Sequence, residues 1–376
     1  MLRSFLGRLG RGRLFRRAYS KHTVAHGKLD RDFICSEKRP IRDTVLPVAK
    51  YGGTNLVTLI LGESFKEMGQ YIELIFDQMN APIMFEKFYS SGHIHTSCED
   101  KEEFCEITVG IKRSGTALRY DIYDDEETRV ITKLLDLYAC VTNVTSIPIK
   151  TSKSKDLNLI FILQNNMGDY QKLEYQPVPG VVETLSIATL ENIQRFLNYA
   201  FKYAEDNDRK KITFAHKLQE LPLRDGLFLK TAMDINQQFP DIKSEMMEIG
   251  ELSERLARDP HHFDVICASE LYGNPLVAIA SGICGGSGVI SAGNFGDSSV
   301  LFQPIVGQLS LPFKELNPFS HILSGIQVLT HLGHNRLSKK LWNALIDTTF
   351  CKKIMTKDMG GSASAKEVVC NIIENL

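Results

Sequence analysis

His93, His95, Cys98 and Cys105 bring together the imidazole nitrogens and thiolate sulfurs that hold zinc. Their spacing matches no zinc signature, and none of the eight cysteines forms a CxxC pair. Gly92 and the acidic run Glu99–Glu103 predict a solvated loop around them, so no metal is expected there. The remaining cysteines are scattered, as small buried hydrophobes of a reducing compartment are. The glycine-rich run Gly282–Gly296 has the wrong spacing for a phosphate-cradling loop and signals close backbone packing. No GxGxxG follows a strand, and no Walker loop, GxSxG or HExxH occurs. No local motif announces the chemistry.

The elements that would position a site are easier to read. Leu56–Leu61 is a buried-strand candidate. Ser64 with Glu67 predicts a capping box, opening a helix with Phe65, Met68, Ile72, Ile75, Phe76 and Met79 on one face. Asn80 and Pro82 end it, and Ile83–Tyr89 is the next strand. Leu157–Leu163, Lys211–His216 and Phe263–Ser269 are further strands. Helices are predicted from Thr189, over Asp225–Phe239, and from Asn274, with Asn as cap and Pro275 in the first turn. Strands alternating with helices predict an α/β protein with a largely parallel sheet.

Composition bounds the rest. The chain has 376 residues, 43% hydrophobic and 24% charged, which suits a globular protein of two or three domains. No stretch is apolar and long enough to span a bilayer, since Leu276–Ala292 is broken by glycines. The formal net charge of −1 hides an asymmetry. Residues 1–19 hold six arginines and no acid, which predicts a mitochondrial transit peptide, with Arg17-Ala18-Tyr19 before Ser20 as the processing site. The rest carries 38 basic and 45 acidic residues, net −7, and lacks the positive field that nucleic-acid binding needs.

Several runs together resemble the β-decarboxylating dehydrogenases, specifically the subunits of mitochondrial NAD-dependent isocitrate dehydrogenase. They are Ala49–Gly53 (AKYGG), Asp136–Ala139 (DLYA), Gly180–Leu185 (GVVETL), His216–Lys217 with Asp225–Leu229 (DGLFL), Phe263–Val265 with Leu271–Asn274 (LYGN), and Asp358–Gly361 (DMGG). They follow the family's order from about residue 46 to the C-terminus. AKYGG and LYGN are most similar to the γ type, which is non-catalytic; LYGN is also shared with the β type, and the catalytic α type usually has LYGD. The resemblance implies an isopropylmalate/isocitrate dehydrogenase-like α/β fold. A large domain would comprise 46–137 and 286–376, and a small dimerising domain 138–285.

It also implies a site that this chain has lost. Isocitrate binds as a chelate of Mg2+ or Mn2+, gripped by arginines whose planar forks bind carboxylates. The family's three arginine positions fall at Thr132, Thr142 and Gln164, and Glu126 stands near its anion-binding serine. Losing one buried bidentate pair costs on the order of 1.5–3 kcal/mol. The family's metal-binding aspartates fall at Gly250, Asn274 and Ala278, with Glu248 and Glu251 near enough to replace the first. Its dinucleotide turn is Gly62–Glu67, made bulky by Phe65 and charged by Lys66; its adenine loop is Val306–Leu311, and Asn317-Pro318 is retained. No cofactor is therefore expected in the chain's own cleft, although the family uses NAD.

Two catalytic positions persist, Tyr170 (the family's proton-donating tyrosine) and Lys217 (its general acid–base lysine, which reaches a neighbouring subunit's site). The expectation is a divergent regulatory subunit in a matrix hetero-oligomer, lending Lys217 to an α-type partner of the tricarboxylic acid cycle. The alternatives are a self-associating pseudoenzyme module and a weakly active dehydrogenase of the same family.

Overall fold

A computed structural model describes residues 50–376 apart from 52, 91–97, 122–125, 148, 150–151, 155, 169–170, 172 and 306–316. The leader at 1–19, His93, His95, Tyr170 and the loop Val306–Leu311 lie outside the described residues. In chain order the first elements are β1 (Lys50–Tyr51), β2 (Thr54–Gly62), α1 (Lys66–Gln78), β3 (Ile83–Ser90), α2 (Cys98–Ser114), β4 (Thr116–Tyr120) and α3 (Glu126–Leu134). The middle of the chain forms β5 (Ala139–Thr145), β6 (Asn158–Gln164), β7 (Glu174–Val178), β8 (Val181–Thr184), α4 (Leu190–Asp206), β9 (Lys211–His216), α5 (Arg224–Asn236), β10 (Lys243–Glu248) and α6 (Ile249–Arg258). Then come β11 (Val265–Ser269), α7 (Glu270–Cys284), β12 (Ser291–Phe295), β13 (Val300–Pro304), α8 (Pro318–His331), α9 (Asn335–Ile346) and α10 (Ala365–Glu374).

The strands join into one sheet in the order β1-β2-β4-β13-β12-β5-β6-β11-β9-β10, with β3 beside β2. Two parallel blocks flank an antiparallel centre. β3, β2, β4 and β13 run parallel, as do β6, β11, β9 and β10. β12 is antiparallel to both β13 and β5, and β5 is antiparallel to β6. The glycine-rich run therefore contains a central strand. Gly293 fits there because a Cβ would lie 2.9 Å from the rings of both Phe295 and Phe302.

Helices cover both faces, so the strands are apolar on both sides, as parallel strands in α/β proteins are. In β6, Leu159, Phe161 and Leu163 join the core beneath α1, α7, α8, α9 and α10, while Ile160 and Ile162 join the core beneath α4 and α5. In β2, Ile60 faces the smaller cluster under α2 and α3. All six apolar residues expected on one face of α1 are buried.

Two expected helix starts are corrected. A 3-10 turn, Glu63–Phe65, leads into α1, and no side chain caps either element, so Ser64 and Glu67 form no capping box. Packing decides the start: Phe65 is driven into the core against the His321 ring, 5.6 Å between centroids. Asn274 is likewise not a cap. The chain turns from β11 straight into α7 at Glu270, and Asn274 and Pro275 lie inside the helix, with Pro275 on its exposed side. There the missing N–H removes one helical bond at a place where water can serve the freed carbonyl.

Candidate functional site

The strands β6, β11, β9 and β10 end together, with Gln164 opposite Ser269 and His216 opposite Glu248. Ligands of open α/β sheets bind outside such carboxyl ends. Lys217 follows β9 directly. Its backbone N–H donates to Asp225 Oδ2 at 2.6 Å, and its Nζ donates to Glu248 Oε1 at 2.8 Å. Glu248 is also the N-cap of α6: its Oε2 accepts from the backbone N–H of Gly250 at 2.7 Å and of Glu251 at 3.3 Å. One carboxylate thus satisfies a helix terminus and a lysine together. The Lys217 bond, helped by the two N–H donors, holds the Glu248 carboxyl below its ordinary pKa, and the same bond raises Lys217. Glu220 adds a weaker contact to Lys217 at 3.8 Å.

Beside this pair lies a closed triangle. Asp225 is buried, and besides the Lys217 N–H it accepts from Tyr272 Oη at 3.0 Å and from Arg224 Nε at 2.9 Å. Arg224 Nη2 donates to Tyr272 Oη at 2.7 Å. His216 sits half-buried above it, its pKa lowered by burial and partly restored by Asp225 and Glu248. Arg224, Asp225, Tyr272, Gln164 and Ser269 line a recess of about 30 Å3, room for about two waters. The sequence motifs DGLFL and LYGN contain Asp225 and Tyr272, but nothing in their spacing couples Asp225 and its neighbour Arg224 to Tyr272.

The structure brings Gln164 to this edge, only 3% exposed, with its Nε2 lacking a partner among the described residues. Thr142 is fully buried within β5, and Thr132 is buried on α3. Glu126 is the first residue of α3. Asn274 and Ala278 lie one turn apart on α7, half-exposed and exposed. Gly250 and Glu251 open α6. The three family positions offer one amide and no carboxylate, and Glu248 is committed to Lys217 and the helix cap, which leaves Glu251 as the one acid named for this site whose carboxylate has no such duty. Cys105 is exposed on α2, and no group of three or more metal-ligating side chains occurs among the described residues.

The second block of parallel strands ends at Gly62 and Tyr120. Asp121 crowds that edge: a Cβ on Gly62 would lie 2.5 Å from its carboxylate. Asp121 pairs with the fully buried Arg119 at 3.3 Å. Glu63, in the turn after β2, pairs with Lys66 at 3.6 Å, so the acids of this edge are each matched by a base. Asn317 is the N-cap of α8: its Oδ1 accepts from Phe319 N at 2.9 Å, and its Nδ2 donates to Gly288 O at 3.1 Å and Asp358 Oδ2 at 2.9 Å. Those bonds build the fold. Behind them, burial drops the His321 pKa to about 4, although its Nδ1 contacts Asn317 O at 3.0 Å.

A mixed α/β sheet with lysine, carboxylates and tyrosine at one edge defines the class of fold, and comparison says which family builds it. Residues 109–375 match the isocitrate/isopropylmalate dehydrogenase family, and the chain belongs to it. The γ subunit of mitochondrial NAD isocitrate dehydrogenase from Macaca fascicularis is 29% identical, over 89% of this chain and 96% of its own. The probable γ 2 protein of Rattus norvegicus is 31% identical over 89% and 86%, and subunit 1 from Kluyveromyces lactis is 32% identical over 87% and 92%. All three are named mitochondrial, and this chain is a mitochondrial protein of their family. The isocitrate dehydrogenase of Methylococcus capsulatus shares the fold, with TM-score 0.77 and 22% identity over 85% of this chain and 98% of its own. No helix among the described residues is long and apolar enough to cross a membrane.

Proposed function

We propose that this chain is a non-catalytic, γ-like subunit of the mitochondrial NAD isocitrate dehydrogenase, working in the matrix beside an α-type partner that decarboxylates isocitrate. One observation carries the proposal: the family scaffold is intact, while its ligand positions hold Thr132, Thr142, Gln164, Gly250, Asn274 and Ala278. Metal-assisted decarboxylation needs a cation clamp on the substrate, and these side chains supply none.

Pairing is supported by the ribbon of β7 and β8, whose nine residues are all exposed, with Tyr175 at 64% and Val182 at 64%. An exposed apolar ribbon marks a protein contact. In the assembly Lys217 would leave Glu248 and extend to the partner's site, where Nζ would hold and return a proton. The test is the activity of a purified α-type subunit with and without this chain, then with Lys217→Ala. No gain on mixing rejects the proposal; a gain that survives Lys217→Ala rejects the lysine's role alone.

A self-associating binding module is favoured by one observation: Lys217 is already paired within its own chain. Capture of an α-type subunit from matrix extract, against recovery of a homo-oligomer alone, separates the two.

A further inference from the structure

Away from the cleft edge, the last residues of β5 meet α8 and α9 around a small cavity of about 20 Å3. Asn143, Thr145 and Gln327 line it together with Phe319, Leu323 and Trp342. Asn143 Oδ1, Thr145 Oγ1 and Gln327 Oε1 are all buried and have no hydrogen-bond partner among the described residues. Buried oxygens without partners are costly, and three sharing one space call for a common ligand.

Size and chemistry narrow the choice. A water needs at least about 10–15 Å3 and two to four polar partners, and this space holds one such molecule with little to spare. We propose that the cavity is a binding site for a single internal water, held by Asn143, Thr145 and Gln327. Water's two hydrogens match the two amide oxygens, and its lone pair accepts the Thr145 hydroxyl, giving the three bonds typical of buried water. A monovalent cation has similar size and attracts the same oxygens. The lining, however, offers it no carboxylate, and an unpaired buried charge is far more costly than a buried neutral molecule. The bound water would tie the end of β5 to α8, joining segments that lie far apart in sequence.

The chain's single tryptophan, Trp342, lines this cavity, so its emission reports on the site. The experiment is thermal unfolding of the full chain, Thr145→Val, Thr145→Ser and Gln327→Met. Each is run in KCl, ammonium chloride and choline chloride at equal ionic strength, with Trp342 emission read in parallel. A bound water predicts that Thr145→Val and Gln327→Met lower Tm by roughly 2–4 °C, equally in the three salts, while Thr145→Ser keeps most of the stability. In a dry cavity, deleting an unpaired oxygen raises Tm, and that result overturns the proposal. Stabilisation specific to potassium or ammonium, absent from both oxygen-deleted variants, overturns it too and assigns the site to a cation.

Discussion

Lys217 Nζ and Glu248 Oε1 lie 2.8 Å apart, joined across the ends of the adjacent parallel strands β9 and β10. Glu248 spends its other oxygen on the start of α6. The lysine that the proposed function lends to a partner is therefore held in its own chain by a carboxylate that also has a structural duty.

Glu248→Gln tests that restraint. A neutral amide weakens the grip on Lys217 and can still cap α6 through its oxygen. If Lys217 acts in a partner's site, Glu248→Gln stimulates the α-type subunit more strongly than the unsubstituted chain, as measured by NAD reduction at saturating isocitrate and metal. Equal or weaker stimulation shows that Glu248 positions the lysine instead. The acid limb of stability responds as well. Because the folded Glu248 pKa lies below its ordinary 4.5, its contribution is present above that value and fades as pH falls through the folded pKa. Glu248→Gln removes that dependence.

Asp225 carries the fold of the same edge. It is buried and accepts from Lys217 N, Tyr272 Oη and Arg224 Nε. Asp225→Ala strips a partly buried guanidinium and two further donors of their shared acceptor, and leaving buried donors unsatisfied costs about 1–3 kcal/mol. Urea unfolding should show this as a lower midpoint. Tyr272→Phe, which removes one hydroxyl from the triangle, should cost about 1 kcal/mol.

The sequence makes the repeating pattern of this fold legible and leaves its junctions obscure. The apolar stripe Met68, Ile72, Ile75, Phe76 is readable because burial of one helix face imposes a period. Lys211–His216 is readable because a strand buried on both faces is a short apolar run bounded by polar residues. The starts of α1 and α7 are not, because Ser64 and Asn274 have capping chemistry but Phe65 burial and the β11–α7 turn set where the helices begin. The site shows the same division. Resemblance singles out Lys217, which follows β9 at the sheet edge, whereas the Asp225–Tyr272 bond joins residues 47 apart through geometry alone.

Gly273 shows how closely α7 lies on the sheet. A Cβ there would stand 2.2 Å from Leu163 Cδ2 and 2.7 Å from Cδ1. Gly273→Ala forces the buried Leu163 out of its rotamer or the helix away from β6. Overpacking of this kind costs about 1–3 kcal/mol, more than the helix propensity that alanine returns. Thermal unfolding should give a lower Tm, and in a Leu163→Ala background, which itself costs stability, Gly273→Ala should lower Tm further by less because the clashing atoms are gone. An equal drop in that background would place the strain elsewhere.

His321 sets a pH dependence at the other end of the molecule. It is 2% exposed, packed 4.8 Å from the Tyr120 ring and 5.6 Å from the Phe65 ring, centroid to centroid. Burial lowers its pKa from 6.5 to about 4, so the folded chain keeps the ring neutral where the unfolded chain protonates it. Below pH 6.5 the unfolded state binds the extra proton, and stability falls as pH drops until the folded ring titrates near pH 4. The full effect is on the order of 3 kcal/mol. Urea midpoints measured between pH 7 and pH 4 should therefore decline more steeply for the unsubstituted chain than for His321→Leu. The leucine variant loses the contact with Asn317 O and starts from lower stability, so the slope, not the absolute midpoint, is the readout. Parallel slopes would mean that His321 is protonated in the folded chain, which its Nε2, buried without a partner among the described residues, could sustain only by opening the core around Phe65.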